Sequence, residues 1–167
     1  MKKLKERHNT VTAFVSSEGS TMLHWHSKNK MWLPPGGHIE PNEDPIEAVH
    51  REVAEETGFK VEILNSDPRF NYNHPPQITP PVTVMLETIV ANKAEPEHEH
   101  IDMIYFARPL EEYEECDLRD GWFWVSAESL MGDGLVDVGD ECASSQIPTD
   151  VRVLGLAAIE MASEEQD

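Results

Sequence analysis

The pattern of apolar and polar positions along the chain predicts strands, then one helix, then more strands and a late helix. Val11 to Val15 reads as a short buried strand, and Thr21 to Trp25 pairs back on it as a hairpin arm. Further strands are predicted over 60–64, 82–91, 101–107 and 122–125, with a short helix starting within 126–130. This order predicts an α+β protein, a mixed β-sheet sandwiched between helices in an α/β/α sandwich.

Proline and glycine interrupt the pattern in three places. Residues 33–37 (Leu-Pro-Pro-Gly-Gly) are predicted to be irregular, because these residues break both helices and strands. Residues 65–81 hold five prolines and no periodicity, which is typical of a long binding loop. Residues 132–145 are also predicted as loop.

The strongest helix prediction lies in the middle of the chain. Asp44 suits the N-cap, Pro45 the first helical position, Glu47 closes a capping box, and Gly58 ends the helix. An apolar stripe at helical spacing predicts the core face, formed by Ile46, Val49, Val53 and Thr57. A final helix is predicted over 150–163, capped by Thr149.

The same central helix carries three glutamates on one side. Glu52, Glu55 and Glu56 stand at i, i+3 and i+4, away from the apolar stripe, with Ala48 one turn earlier in the same sector, where it leaves space. A solvated acidic face is one interpretation, because such faces are common. The other is a site for Mg²⁺, which prefers carboxylate oxygens on a rigid support. The glycines just before the helix allow a backbone carbonyl to approach the same ion.

Composition narrows the classes of function. The 167 residues predict one domain, and a net charge of −19 disfavours binding to a nucleic-acid backbone. No apolar run is long enough to span a membrane. Cys116 and Cys142 form no CxxC pair, and no secretory signal is recognised, so we expect reduced thiols and a cytoplasmic location.

Residues 37–59 resemble the Nudix box, G-x5-E-x7-R-E-U-x-E-E-x-G-U, where U is a bulky aliphatic or aromatic residue. Every fixed position is met, by Gly37, Glu43, Arg51, Glu52, Val53, Glu55, Glu56, Gly58 and Phe59. The lead-in at 32–36 and the aromatic run at 122–124 also look like their counterparts in that family. The resemblance implies a single Nudix hydrolase domain over residues 1–167 with the Nudix fold.

The resemblance also implies a reaction and roles for named residues. Such enzymes hydrolyse a nucleoside diphosphate linked to another group, with Mg²⁺ or Mn²⁺ as cofactor, so the expected partner is a small-molecule nucleotide. Glu52, Glu55 and Glu56 would hold the ions, with Glu52 also acting on the attacking water. Gly36 would offer its carbonyl to a metal, and a homodimer is an assembly often met in the family.

Two further assignments follow from the resemblance. Arg51 and Glu43 look like the pair that braces the loop against the helix. A carboxylate outside the box often joins the site, and Glu114 and Glu115 are the candidates, with plain surface charge as the alternative.

Histidines and aromatic residues are candidates for substrate or metal contacts. His24/His26 and His98/His100 are His-x-His pairs, which share a face on a strand and so can bind Zn²⁺, with Asp102 beside the second. Ordinary polar surface or a substrate contact is the alternative for each pair. Candidates for stacking on a base are Trp32, Phe70 and Tyr72, with core packing equally open for Trp32.

Two other functions are consistent with a Nudix-like chain. A non-catalytic ligand sensor is one, although the box is complete here. An isoprenoid isomerase is the other, but it needs a reactive cysteine, and Cys116 and Cys142 lie outside the box in acidic surroundings.

Overall fold

Eight strands and three helices make up the part of the chain that the computed structural model describes, residues 5–26, 30–64, 74–91, 95–111, 113, 118–132 and 147–164. The strands are β1 (Arg7–Ser17), β2 (Ser20–His26), β3 (Met31–Leu33), β4 (Gly36–His38), β5 (Val61–Ile63), β6 (Thr83–Ile89), β7 (His98–Pro109) and β8 (Trp122–Ser126). The helices are α1 (Pro45–Thr57), α2 (Ala127–Met131) and α3 (Thr149–Glu164). None of the described helices has the length and apolar character needed to cross a membrane.

Two long strands, β1 and β7, form the centre of the sheet and run parallel, with Arg7 opposite Glu99 and Val15 opposite Ala107. On the outer side of β1, its first half pairs with β4 and its last residues pair with β2. On the outer side of β7, its first half pairs with β6 and its end with β5. Only the β1–β7 pair is parallel among these pairings, which confirms the predicted mixed sheet.

A helix covers each face of the sheet, and the alternation of side chains along β1 explains why. One core lies between α1 and the sheet, and it contains Val11, Ala13, Val15, Val49, Val53 and Tyr105. The other core lies between α3 and the opposite face of the sheet, and it contains Phe14, Ile104, Phe106, Val151, Ala158 and Ile159. Because successive strand side chains point to opposite faces, one central pair of strands supplies both cores, as the sandwich prediction requires.

Helix α1 begins and ends where the sequence predicts. The Asp44 carboxylate accepts from the N–H groups of Ile46 (2.8 Å) and Glu47 (3.0 Å), and the Glu47 carboxylate accepts from Asp44 N–H (2.9 Å). Gly58 stops the helix in the left-handed region, with φ of 85°. This capping box fixes the first turn, so the glutamates further along project from a rigid support.

Several local predictions differ from the structure; Leu33 belongs to β3, and β1 and β7 are longer than predicted. Gly36 and Gly37 are not irregular but belong to β4, since only Pro34 and Pro35 lack the N–H that a strand needs. Ala48 is fully buried on the core side of α1, so it does not leave space above the carboxylates. Helix α3 starts at Thr149 itself rather than after it.

Candidate functional site

A guanidinium fork joins the loop before α1 to the helix. Arg51 donates from Nε to Glu43 Oε1 (2.8 Å) and from Nη2 to Glu43 Oε2 (2.9 Å), a bidentate pair. The same Nη2 also donates to the carbonyl of His38 (2.9 Å). Hydrogen bonds from Arg51 hold the pKa of the Glu43 carboxyl below its usual range. The predicted brace is therefore present, and it fixes the loop against α1.

Glu52 lies against the backbone at Gly37. A Cβ atom on Gly37 would stand 2.3 Å from Glu52 Oε1, so the glycine is required for this approach. Arg51 Nη1 donates to Glu52 Oε1 at 2.8 Å, and the Glu52 side chain is only 14% exposed. The Glu52 carboxylate is thus fixed by the Arg51 guanidinium on one side, and on the other side it lies against the Gly37 backbone.

Glu56 reaches the neighbouring residue of the same short strand. Its Oε2 accepts from the N–H of Gly36 at 3.0 Å. Glu56 is exposed as a residue, but the protein atoms packed around its carboxyl group desolvate it and raise its pKa, and the charges of Glu52 and Glu55 raise it further. The Gly36 hydrogen bond opposes this rise. Like charges crowded in this way favour binding of a cation that neutralises them.

Glu55 is the outermost of the three glutamates. Its side chain is 63% exposed and lies 3.4 Å from Arg51 Nη1. Glu52 and Glu56 present their carboxylates to β4, and Glu55 stands beside them on α1, exposed to solvent. This donor set fits a hard divalent cation such as Mg²⁺ or Mn²⁺, and it lacks the nitrogen or sulfur ligands that Zn²⁺ favours.

A cavity of about 300 Å³ opens on the other side of β4, on the α3 face of the sheet. Its walls include Gly36, Gly37, His38, Met85, Glu87, His100, Asp102, Ile104, Asp150 and Leu154. Since Gly36 and Gly37 border both the cavity and the glutamates, this strand is the wall common to both. A ligand seated in the cavity can therefore extend toward the carboxylates.

This cavity is lined by polar side chains that were not predicted from the sequence to belong to a pocket. Asp102 is buried and accepts from the hydroxyls of Thr10 and Thr12, each at 2.8 Å. Burial raises the pKa of the Glu87 carboxyl, and the nearby Asp102 and Asp150 raise it further. The signal was present in the sequence, because Thr10, Thr12 and Asp102 interrupt the inward-facing apolar positions of two central strands.

The remaining predicted residues fall in different places. Trp32 is fully buried, in contact with the rings of Trp25 and Phe123, which favours core packing, one of the two roles left open for it. His98 and His100 come together at the start of β7, and His100 lines the cavity. Tyr72, Phe70, Glu114 and Glu115 lie outside the described residues.

The other histidine pair has a different environment. His24 lies on β2 beside the ring of Trp122, and burial lowers its pKa. Within the described ranges, no group of three metal-ligating side chains includes His24 or His26. Packing therefore accounts for His24 better than metal binding.

Comparison with known proteins agrees with this geometry. The family model described as NUDIX domain matches residues 6–142. A NUDIX-family hydrolase of Clostridium perfringens is 29% identical, with a TM-score of 0.69 over 93% of this chain and 98% of that one. A NUDIX hydrolase from Nitrosomonas europaea shares the fold, with a TM-score of 0.52 and 17% identity over 96% of this chain and 90% of that one.

A curated relative matches over a shorter stretch. The rat protein named bis(5'-nucleosyl)-tetraphosphatase [asymmetrical] is 36% identical over 56 residues, which are 34% of this chain and 34% of that protein. The matched part is thus about a third of the relative's length. The family model, in contrast, covers well over half of this chain and includes the whole of α1 with its glutamates. The chain therefore belongs to the NUDIX domain family, the family of Nudix-type hydrolases.

Proposed function

We propose that this chain is a pyrophosphohydrolase, dependent on Mg²⁺ or Mn²⁺, that cleaves a phosphoanhydride bond in a nucleoside diphosphate linked to another group. One observation carries the proposal: Glu52 and Glu56 meet the backbone of Gly37 and Gly36 at the wall of a ligand-sized cavity. The name of the rat relative, a nucleosyl tetraphosphatase, supports a nucleotide substrate.

The proposed roles follow from the contacts. Glu52, Glu55 and Glu56 are the ligands for the divalent ions, with the Gly36 carbonyl and Glu115 as further ligands. When bound, the ions supply positive charge that neutralises phosphate oxygens and acidifies water. We assign to Glu52 the removal of a proton from the attacking water, and its fixed, largely shielded carboxylate supports this role.

The rest of the proposed site positions the substrate. The cavity lies at the small end of the range of roughly 300–1,000 Å³ for ligand pockets, which fits one nucleoside-sized group. Its carboxylates at Glu87, Asp102 and Asp150 can accept hydrogen bonds from the amino group of a base. His100, which lines the cavity, and Tyr72 are the further proposed substrate contacts, whereas His98 is too deeply buried to touch a ligand in the cavity.

The test is release of phosphate or nucleoside monophosphate from a panel of nucleotides and nucleotide sugars. With Mg²⁺ present, we expect one class to be turned over, and chelation by EDTA should stop the reaction until Mg²⁺ or Mn²⁺ is restored. Full activity in chelator would contradict the metal-dependent mechanism. Binding of a panel member with no turnover would instead support a ligand sensor.

The Arg51 fork gives a second prediction. Arg51→Lys removes the bidentate contact with Glu43 and the bond to His38, because a single ammonium cannot reproduce a planar fork. We expect kcat/KM to fall about 10–100-fold, as for other groups that orient metal ligands. Steady-state kinetics measure this change. Arg108→Lys, at an exposed pair with Glu62, is the matched control and should keep full activity.

A further inference from the structure

Four histidines from three strands meet on the α3 face of the sheet, at the end where β1 and β7 begin. The parallel register sets His8 opposite His100, and His98 lies two residues earlier on the same face. Pairing of β4 with β1 sets His38 opposite Thr10, next to them. We call His8, His38, His98 and His100 the histidine cluster; none of the four belongs to the acidic site on α1.

The ring nitrogens of three members converge as metal ligands do. The ligand atoms of His8, His98 and His100 all lie within 4.8 Å of one another. His98 Nε2 and His100 Nε2 are 3.0 Å apart. In a tetrahedral site with Zn–N bonds of about 2.0–2.1 Å, neighbouring ligand nitrogens stand about 3.3 Å apart. The spacing of His98 and His100 is therefore close to what a zinc ion needs, and side-chain rotation within the 4.8 Å group would bring the His8 nitrogen into the same range.

Outer contacts orient these rings. The Pro96 carbonyl lies 2.9 Å from His98 Nδ1 and can only accept, so Nδ1 carries the proton and the lone pair of Nε2 faces the cluster. Metal-binding histidines in proteins are oriented in this way. His8 Nδ1 and His38 Nε2 share a hydrogen bond at 3.2 Å. His98 is 2% exposed, so this imidazole is held away from water beside two other bases.

We propose that His8, His98 and His100 bind a divalent transition metal ion, Zn²⁺ or Co²⁺, separate from the ions at the glutamates. Imidazole nitrogens select such ions over Mg²⁺, which prefers oxygen. Three protein ligands leave a fourth position for water or a substrate oxygen, as in catalytic rather than structural zinc sites. His38 and His100 also line the cavity, so the histidine cluster adjoins the space proposed to hold the ligand. The proposal does not depend on which nucleotide is cleaved.

Metal titration of the metal-free protein tests this site. The full chain carrying Glu52→Gln and Glu56→Gln, which weakens the acidic site, should still bind one equivalent of Zn²⁺ in the presence of excess Mg²⁺. Co²⁺ in its place should give the strong visible absorption of a four- or five-coordinate nitrogen site. Binding that disappears with the two glutamates would overturn the proposal, because the ion would then belong to the acidic site.

Histidine variants in the same background assign the ligands. His8→Gln and His100→Gln come from different strands and should each lose the bound equivalent and the cobalt spectrum. His50→Gln is the matched control, because His50 is exposed on α1 outside the cluster. Both cluster variants keeping wild-type stoichiometry and spectrum would overturn the proposal. So would failure of the parent to bind Zn²⁺, which would leave the cluster as a hydrogen-bonded network without metal.

Discussion

Replacing Glu52 with glutamine should lower turnover by about 10²–10⁴-fold while the fold remains intact. The amide keeps the shape of the side chain and still offers an oxygen to Arg51, but it cannot take a proton and binds a cation weakly. Loss of one negative charge from a crowded acidic face removes like-charge repulsion, so stability should stay equal or rise slightly. Initial rates on the substrate found in the panel, with thermal unfolding of the same samples, measure both effects.

A control for this prediction is available on β5, the strand that follows α1 along the chain. Glu62→Gln also removes one glutamate charge, but at an exposed pair with Arg108 that is remote from β4 in the sheet. We expect it to change the rate little and the melting temperature by less than about 2 °C. Near-wild-type activity of Glu52→Gln would show that another group acts on the water, and the assignment to Glu52 would be wrong.

The two adjacent glycines of β4 should give opposite results when each is changed to alanine. In Gly37→Ala, the new methyl group would overlap the Glu52 carboxylate, 2.3 Å from Oε1, and a side-chain end can move away. We expect the protein to stay folded and to lose about 10²-fold in rate, the cost of displacing a reacting group by about 1 Å. The effect is on kcat, because the cavity wall itself is kept.

In Gly36→Ala, the overlap is with the backbone. The new Cβ atom would lie 2.3 Å from the carbonyl oxygen of Val11 and 3.0 Å from Thr12 Cα, so the β1–β4 pairing must open. We expect a loss of roughly 1–3 kcal/mol in unfolding free energy, as for other overpacked sites. The melting temperature should fall roughly 3–10 °C.

Paired measurements of rate and melting temperature separate these outcomes. Gly132→Ala serves as the control, because its nearest atom would be 3.4 Å away and its φ is not in the left-handed region. A Gly37→Ala protein that melts as early as Gly36→Ala would contradict the idea that Gly37 serves the carboxylate rather than the fold.

The local elements could be predicted because their signals are local. Asp44, Pro45 and Gly58 define the ends of α1 through contacts within a few residues, and the spacing of its glutamates fixes their common side. The Arg51–Glu43 pair was predicted from the resemblance to the Nudix box, and the structure shows the contact.

Contacts between distant segments were not predictable in the same way. The contact between His8 and His100 depends on the parallel register of β1 and β7, and no pattern within a single sequence predicts that register. Burial of Trp32 depends on Trp25 and Phe123, each on a different strand. The cavity also needs α3, which contributes Asp150 and Leu154 from the end of the chain.

In the proposed function, the position of β4 separates substrate recognition from hydrolysis. Side chains such as Met85, Ile104 and Leu154 shape the cavity on one face, whereas the glutamates project from α1 on the other. Substitutions among the former can change which group is admitted without moving the carboxylates. With this arrangement, proteins related by descent can change their substrate specificity through a few mutations in the cavity while the proposed hydrolytic residues stay the same.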